Sequence, residues 1–417
     1  MKRLAKGAVH VNDQKMVVSA HDGMLGTRKI NLGKLMTYTT YQRVQRVVRG
    51  TQPSKALVDR IKTSYRLALQ KAPTPEDSFL WSMIGGKQAN IHEALMSEDD
   101  GRLMALLSNP QETDLYYGVD ILAKGIIAMM NAGTWIEDRW KDADQLQSKL
   151  EDLVVFLGDR VLFNPEGGAN YPHRTRPESD SLDHYIDIVQ RHMGIDLQFP
   201  NPFAGEFGLV TSKGIATERV FQAIYQAILL RRHAASTCLE IGGGMGRTAY
   251  YARQMGIRYS IVDLPMTIVG QALFLSSTLG EDAIWMIGDS EPRGDRITLL
   301  PPSELHTVGA VDVVLNVDSL TEMGEKTAAD YVRWISKNAG TFLSINHEAN
   351  HFTVRQVVEA LYPKSGRSRH LYWMRAGYVE EEFTFHADNS KEMLASVLQS
   401  TSWRITQPLR RLVTLLR

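Results

Sequence analysis

The chain has 417 residues, 47 lysines and arginines against 47 aspartates and glutamates, and one cysteine. That length exceeds one ordinary core, so two domains with extensions are expected. The balanced charge offers no overall field for nucleic acid, the lone Cys238 excludes an internal disulfide and fits a reducing compartment, and no run approaches the ~20 apolar residues of a membrane span.

The basic start MKRLAKGAVHVNDQK has no apolar stretch behind it. No secretory signal is expected, and the cytoplasm is the expected location. Residues 1–50 show no sustained period and read as an extension with room for one hairpin. Residues 51–200 read as a helical domain and a connecting loop. Leu57, Ile61, Tyr65 and Leu69 recur at helical spacing until Pro73-Thr74-Pro75, a cap is expected at Asp77 or Ser78, and further helices at 88–108, 114–132 and 143–157. The aromatics Trp81, Tyr116, Tyr117, Trp135 and Trp140 are core positions first and a stacking surface for a carbohydrate or aromatic acceptor second. The stretch 163–202 is rich in Pro, Gly, Asn, His and Asp and reads as a long loop. Its His173, Arg174, Arg176, Asp180 and His184 suit a solvated linker before they suit acceptor contacts.

Residues 201–386 carry the pattern of an α/β domain. An amphipathic helix is expected over 214–232, with Glu218, Arg219 and Tyr225 as surface or ligand-facing positions. Then comes an apolar strand ending in Glu240, the turn Gly242-Gly243-Gly244-Met245-Gly246, and a helix over 248–255. Glycines let backbone approach a ligand where a Cβ would collide, and the helix offers its positive N-terminus. Two cofactor classes compete. The dinucleotide pattern G-x-G-x-x-G/A fails from Gly242, because its last place is Arg247, but passes from Gly244 through Gly246 to Ala249. Glu240 gives instead E-x-G-x-G-x-G, which resembles the first motif of class I S-adenosylmethionine methyltransferases, whose acid meets the methionine moiety.

A second strand, 258–263, ends in Asp263, 21 residues after Gly242. That is near the ~20-residue spacing at which a carboxylate accepts ribose hydroxyls, and Leu264 follows it at the start of the next helix. For the third strand, 283–287, with Asp289 near the adenine, and 296–302 stay open. The run 311–316 is a buried strand whose carboxyl end carries Asn316, Asp318, Ser319 and Glu322, where ligands of open α/β sheets sit. A helix over 326–337, a strand over 341–345 ending in Asn346-His347-Glu348, a helix over 353–361 and closing strands at 370–374 and 379–385 complete the alternation.

The set LEIGGGMG, YSIVDLP, LNVDSLTEM and FLSINHE resembles the sugar O-methyltransferases of bacterial polysaccharide biosynthesis, over about 205–386. The resemblance implies a Rossmann-like class I methyltransferase sheet behind an N-terminal helical domain. It implies S-adenosylmethionine as cofactor, contacts to it from Glu240, Gly242, Gly244 and Asp263, and an acceptor side of Asp318, Ser319, Glu322 and His347. Gly243, Leu264, Asp289 and Asn316 join the expected cofactor side by their places in the turn and at the strand ends. The segment 283–303 does not align with the family, and no metal is expected. Its acceptor would be a sugar or glycan precursor. The tail 387–417 contains SWRITQPLR, similar to the ending of many bacterial glycan-assembly proteins. It is basic enough to suit a membrane surface or a partner in such an assembly.

A sugar hydroxyl needs a general base, and His347, following a central strand, is the first choice, with Asp318 and Glu322 next. His347 to His351 also spells H-E-x-x-H, but a β-like run leads into it and the zinc motif requires a helix. Two other readings remain: a nicotinamide-dependent oxidoreductase using the shifted glycine register, and a non-catalytic cofactor-binding scaffold.

Overall fold

The structure, a computed structural model, describes residues 41–43, 52–71, 79–120, 139–159, 182–205 and 207–385. The expectations for residues 1–40, Trp135, His173, Arg174, Arg176, Asp180 and the tail 387–417 lie outside these, as do those for the side chains of Trp81 and Trp140. Contacts group the chain into two compact units, 1–62 with 87–229 and 270–283, and 63–86 with 230–269 and 284–417. Along its length the chain passes between these units several times.

The first unit begins with β1 (Tyr41–Arg43), which pairs antiparallel with β2 (Phe207–Thr211), itself paired with β3 (Gly214–Ala216). Its helices follow the expected helical region with three departures. The helix expected over 88–108 is two, Ala89–Met96 and Asp100–Ser108, because Asp99 caps the second through Arg102 N at 2.9 Å. Residues 113–119 are turns, held by Gln88 Nε2 donating to Leu115 O at 3.0 Å. The expected loop contains a helix, Leu182–Met193, which buries Tyr185, Ile186, Ile188, Val189 and Met193 on one face. Its other face is so rich in Asp, His and Arg that the stripe was hidden.

The helix after the small sheet starts at Glu218, four residues later than expected, since 214–216 is β3 and Thr217 Oγ1 accepts from Val220 N at 3.3 Å. Glu218 is ion-paired with Lys149, Arg219 donates to Gln222 Oε1 at 3.2 Å, and Tyr225 is buried with its ring 4.8 Å from that of Phe156. Tyr116 is wholly buried, donates to Gly270 O at 3.0 Å and packs on Phe203, which makes it a core residue. Tyr117 is half-buried under the ammonium of Lys87, and His184 is exposed.

The second unit is built on an eight-stranded sheet. Its strands are β4 (Thr237–Ile241), β5 (Arg258–Val262), β6 (Ile284–Met286), β7 (Ile297–Leu300), β8 (Val311–Val317), β9 (Ala339–His347), β10 (Gly366–Leu371) and β11 (Tyr378–Thr384). The order is β10-β11-β9-β8-β4-β5-β7-β6. All pairs are parallel except those of β11, which runs against both β9 and β10. Both stretches that competed for the third strand are strands: β7 lies beside β5, and β6 takes the edge. This is a Rossmann-like α/β sheet, with a helical region N-terminal to it as expected. Its reversed β11 departs from the parallel 3-2-1-4-5-6 order of a dinucleotide-binding fold.

The central strands are continuous apolar runs because both faces of a parallel sheet are covered. On one face the helices Glu325–Asn338 and Val354–Leu361 bring Val332, Ile335, Val357 and Val358 onto Leu239, Ile241, Val314 and Phe342. Leu239 is 0 % exposed. Leu239→Ala should therefore destabilise the protein by about 2–5 kcal/mol, read as a shift in the urea midpoint.

Candidate functional site

Chain order reverses at the β4–β8 boundary, since β5 follows β4 on one side and β9 follows β8 on the other. Open α/β sheets bind ligands outside the carboxyl ends of their strands at such a point. Every expected site residue except Asp289 lies at the end of β4, β5, β8 or β9.

The glycine turn follows β4. Gly242, Gly244 and Gly246 have φ of +74°, +54° and +92°, a region that side chains strain to enter. A Cβ on Gly242 would sit 2.2 Å from Ser319 Oγ, and one on Gly243 would sit 2.8 Å from Ile261 Cγ2 and 3.1 Å from Glu240 Oε2. The turn therefore lies flat on β5 and the β8 loop, and Gly242, Gly243 and Gly244 stay half-buried. Asn316 braces it from below, donating to Ile241 O at 2.9 Å and to Ser319 Oγ at 2.5 Å. Ser319 Oγ donates to Ile241 O at 2.9 Å, and Asn346 Nδ2 to Asn316 Oδ1 at 2.9 Å. Asn316 is 0 % exposed, so its side chain serves the turn from inside the sheet.

Glu240 is buried beneath the same turn, and Tyr259 on β5 donates to its Oε2 at 2.9 Å. Burial pushes its carboxyl from 4.5 up to about 8, against the opposing pull of the Tyr259 hydroxyl and with a contribution from the Asp263 charge. A cation above the turn would favour the ionised form. Asp263 follows β5, and its Oδ1 accepts from Leu264 N at 2.8 Å. Asp289 follows the edge strand β6, where its Oδ2 accepts from Met286 N at 2.9 Å and closes a turn.

The other half of the site gathers at the ends of β8 and β9. Asp318 has φ +55°, a left-handed conformation rare for a residue with a Cβ, and its N–H donates to Ile345 O at 2.9 Å. His347, the last residue of β9, places Nε2 3.6 Å from Asp318 Oδ1. Its Nδ1 accepts from Ala349 N at 3.2 Å, so the neutral ring carries its proton on Nε2, facing the carboxylate. Glu322 ends the 3-10 turn Leu320–Glu322 and is half-buried. The H-E-x-x-H run does not lie on a helix: His347 ends a strand, Glu348 pairs with Arg369, and the helix begins only at Val354.

Three residues of this site escaped the sequence reading. Tyr259 holds Glu240. Tyr378 donates its hydroxyl to Asp318 Oδ2 at 2.6 Å, and Arg375 Nη1 donates to the same oxygen at 2.9 Å. The available signal for Tyr378 was its place at the head of a strand; nothing local marked it as a partner of Asp318.

No protein-family model matches the chain, and no curated protein does. Similar solved structures include the O-methyltransferase from Bacillus cereus in complex with SAH, at 13% identity over 39% of this chain and 79% of that one, TM-score 0.30. The magnesium protoporphyrin IX methyltransferase from Synechocystis with bound SAM is 12% identical over 40% of this chain and 79% of that one, TM-score 0.32. The mitomycin 7-O-methyltransferase is 16% identical over 40% of this chain, TM-score 0.29, and the chain spans 57% of that protein's length.

Proposed function

We propose that the chain is an S-adenosylmethionine-dependent O-methyltransferase that methylates a sugar hydroxyl during bacterial glycan synthesis. The observation that carries this reading is the pairing of two groups across the β4–β8 boundary. On one side is a glycine turn flanked by the carboxylates of Glu240 and Asp263; on the other is the Asp318–His347 pair. The donor set fits the cofactor: Asp263 would hold the ribose, the glycine backbone would lie against the methionine part, and Glu240 would answer its positive charge. The bound cofactor supplies an activated methyl group.

What the chain supplies is orientation and a proton acceptor. Ala349 N at Nδ1 sets the tautomer with Nε2–H toward Asp318 Oδ1, 3.6 Å away, and the Nδ1 lone pair would serve the acceptor hydroxyl once Ala349 N gives way. A positioned base is worth about 100-fold or more for a hydroxyl. His347→Ala should thus bind S-adenosylhomocysteine as the wild type does while its turnover falls at least ~100-fold. Unchanged turnover would remove His347 as the base.

Isothermal titration with S-adenosylhomocysteine and with NADPH tests the cofactor class, since affinity for NADPH alone would replace this reading by an oxidoreductase. The sugar acceptor and the glycan pathway rest on the resemblance of the strand ends and of the tail. The same tail supports peripheral contact with the inner face of the membrane or with a glycan-assembly complex. Mass spectrometry of the producing organism's glycans, with and without the gene, tests the acceptor through the loss of methyl groups.

A further inference from the structure

The two oxygens of Asp318 are used differently. Oδ2 receives the Tyr378 hydroxyl at 2.6 Å and Arg375 Nη1 at 2.9 Å. Oδ1 is buried, has no hydrogen-bond partner among the described residues, and lies 3.6 Å from His347 Nε2. Both donors come from the β10–β11 hairpin, whose turn is closed by Arg375 N donating to Tyr372 O at 3.2 Å and Tyr378 N to Arg375 O at 3.3 Å. The guanidinium carbon of Arg375 lies 4.1 Å above the Tyr378 ring, and that ring meets His347 edge-on at 5.4 Å, directly opposite it in the β9–β11 register. The other charges on these strands have partners elsewhere: Arg369 is bound to Glu348 and Glu381, Arg367 to Glu359 of the helix Val354–Leu361, and Glu382 lies 3.8 Å from His233 Nε2. Arg375 is thus the cation that answers Asp318.

We propose that Arg375 and Tyr378 are positioning residues: they pin Asp318 Oδ2 so that Oδ1 faces His347, which holds the imidazole with Nε2–H inward and Nδ1 toward the acceptor. A carboxylate with one oxygen fixed by two donors cannot rotate without breaking both bonds. Neither residue has to touch the acceptor, and their effect reaches the reaction only through Asp318 and His347. The proposal rests on His347 being the base, but its first readout does not.

That readout is the tautomer of His347, seen by 15N NMR of histidine-labelled full-length protein and assigned by the signal missing in His347→Ala. The wild type should show protonated Nε2 and bare Nδ1. Because Ala349 N donates to Nδ1 and would hold this tautomer by itself, the comparison is made in an Ala349→Pro background that lacks that donor. There Arg375→Gln with Tyr378→Phe should give a mixture of both tautomers, whereas Arg375→Lys should keep protonated Nε2. Titration with S-adenosylhomocysteine reports folding of the variants. A pure Nε2–H signal from the double variant in that background, with wild-type affinity, would overturn the proposal. If the double variant does not bind, Tyr378→Phe decides alone, since it removes a single oxygen. In turnover, the double variant should lose about 10-fold in kcat with KM for the acceptor within about 2-fold, and a change in KM alone would also count against it. If the wild type binds no S-adenosylhomocysteine, the methyltransferase reading fails while the tautomer experiment still decides the positioning.

Discussion

Alanine at Gly242 is expected to abolish cofactor binding and to lower thermal stability at the same time. Two costs add. The φ of +74° is strained for any residue with a Cβ, by roughly 1–2 kcal/mol. The new methyl would also lie 2.2 Å from Ser319 Oγ, which is held by Ile241 O and Asn316 and cannot turn away without orphaning a buried donor, a further ~1–3 kcal/mol. The loop can escape both only by lifting off β5, which destroys the surface that meets the ligand. Affinity for S-adenosylhomocysteine should drop by more than ~100-fold, since a cost near 3 kcal/mol falls on the bound conformation. Adding Ser319→Gly should recover part of the melting temperature, because it removes both the Oγ and the Cβ, 2.2 and 2.4 Å from the new methyl, and leaves the strain. Wild-type affinity in Gly242→Ala would mean that the turn does not form the cofactor site.

The second large effect concerns pH. Glu240 has its folded-state carboxyl at about 8, above the ordinary 4.5. The folded protein therefore holds a proton there that the unfolded chain has released. This contribution to stability is complete below about pH 4.5, is lost as pH rises toward 8, and levels off above it. Its size is on the order of a few kcal/mol for a shift of this kind. Glu240→Gln keeps an acceptor for the Tyr259 hydroxyl and should lose the dependence, becoming more stable than the wild type above pH 8 in the absence of ligand. Urea unfolding of both proteins at pH 6 and pH 9 reads this directly, and equal losses in the two would refute it. The wild type should also bind S-adenosylmethionine more tightly as pH rises through the same window, with proton release, because the cationic ligand selects the ionised carboxyl.

Much of the sheet was legible because buried parallel strands are written as unbroken apolar runs. The strands ending in Glu240, Asp263 and Asn316 lie within a residue or two of where the sequence puts them. The glycine turn was legible for a related reason, since three consecutive glycines have few other uses. What stayed hidden depends on pairing at a distance. Nothing near residue 284 or 297 says which run neighbours β5, as that is settled by the register Ser260 to Thr298. Tyr378 and Arg375 meet Asp318 from 60 and 57 residues away. Tyr259 reaches Glu240 only because β4 and β5 align Cys238 with it, which puts the phenol one step from the acid. The helix 182–193 was missed through composition, its apolar stripe being outnumbered by charged and histidine side chains.

The reversed last strand has a bearing on how the site comes into being. β10 is made before β11 yet lies outside it, so it has no partner in the sheet until β11 slides in between β10 and β9. The cradle for the cofactor draws on β4, β5 and β8, all earlier in the chain, while Asp318 acquires its two donors only when the final hairpin closes. Under the proposed function, the residues that would hold a methyl donor all precede the hairpin in the chain, whereas the two donors to Asp318 come from its last strand and turn.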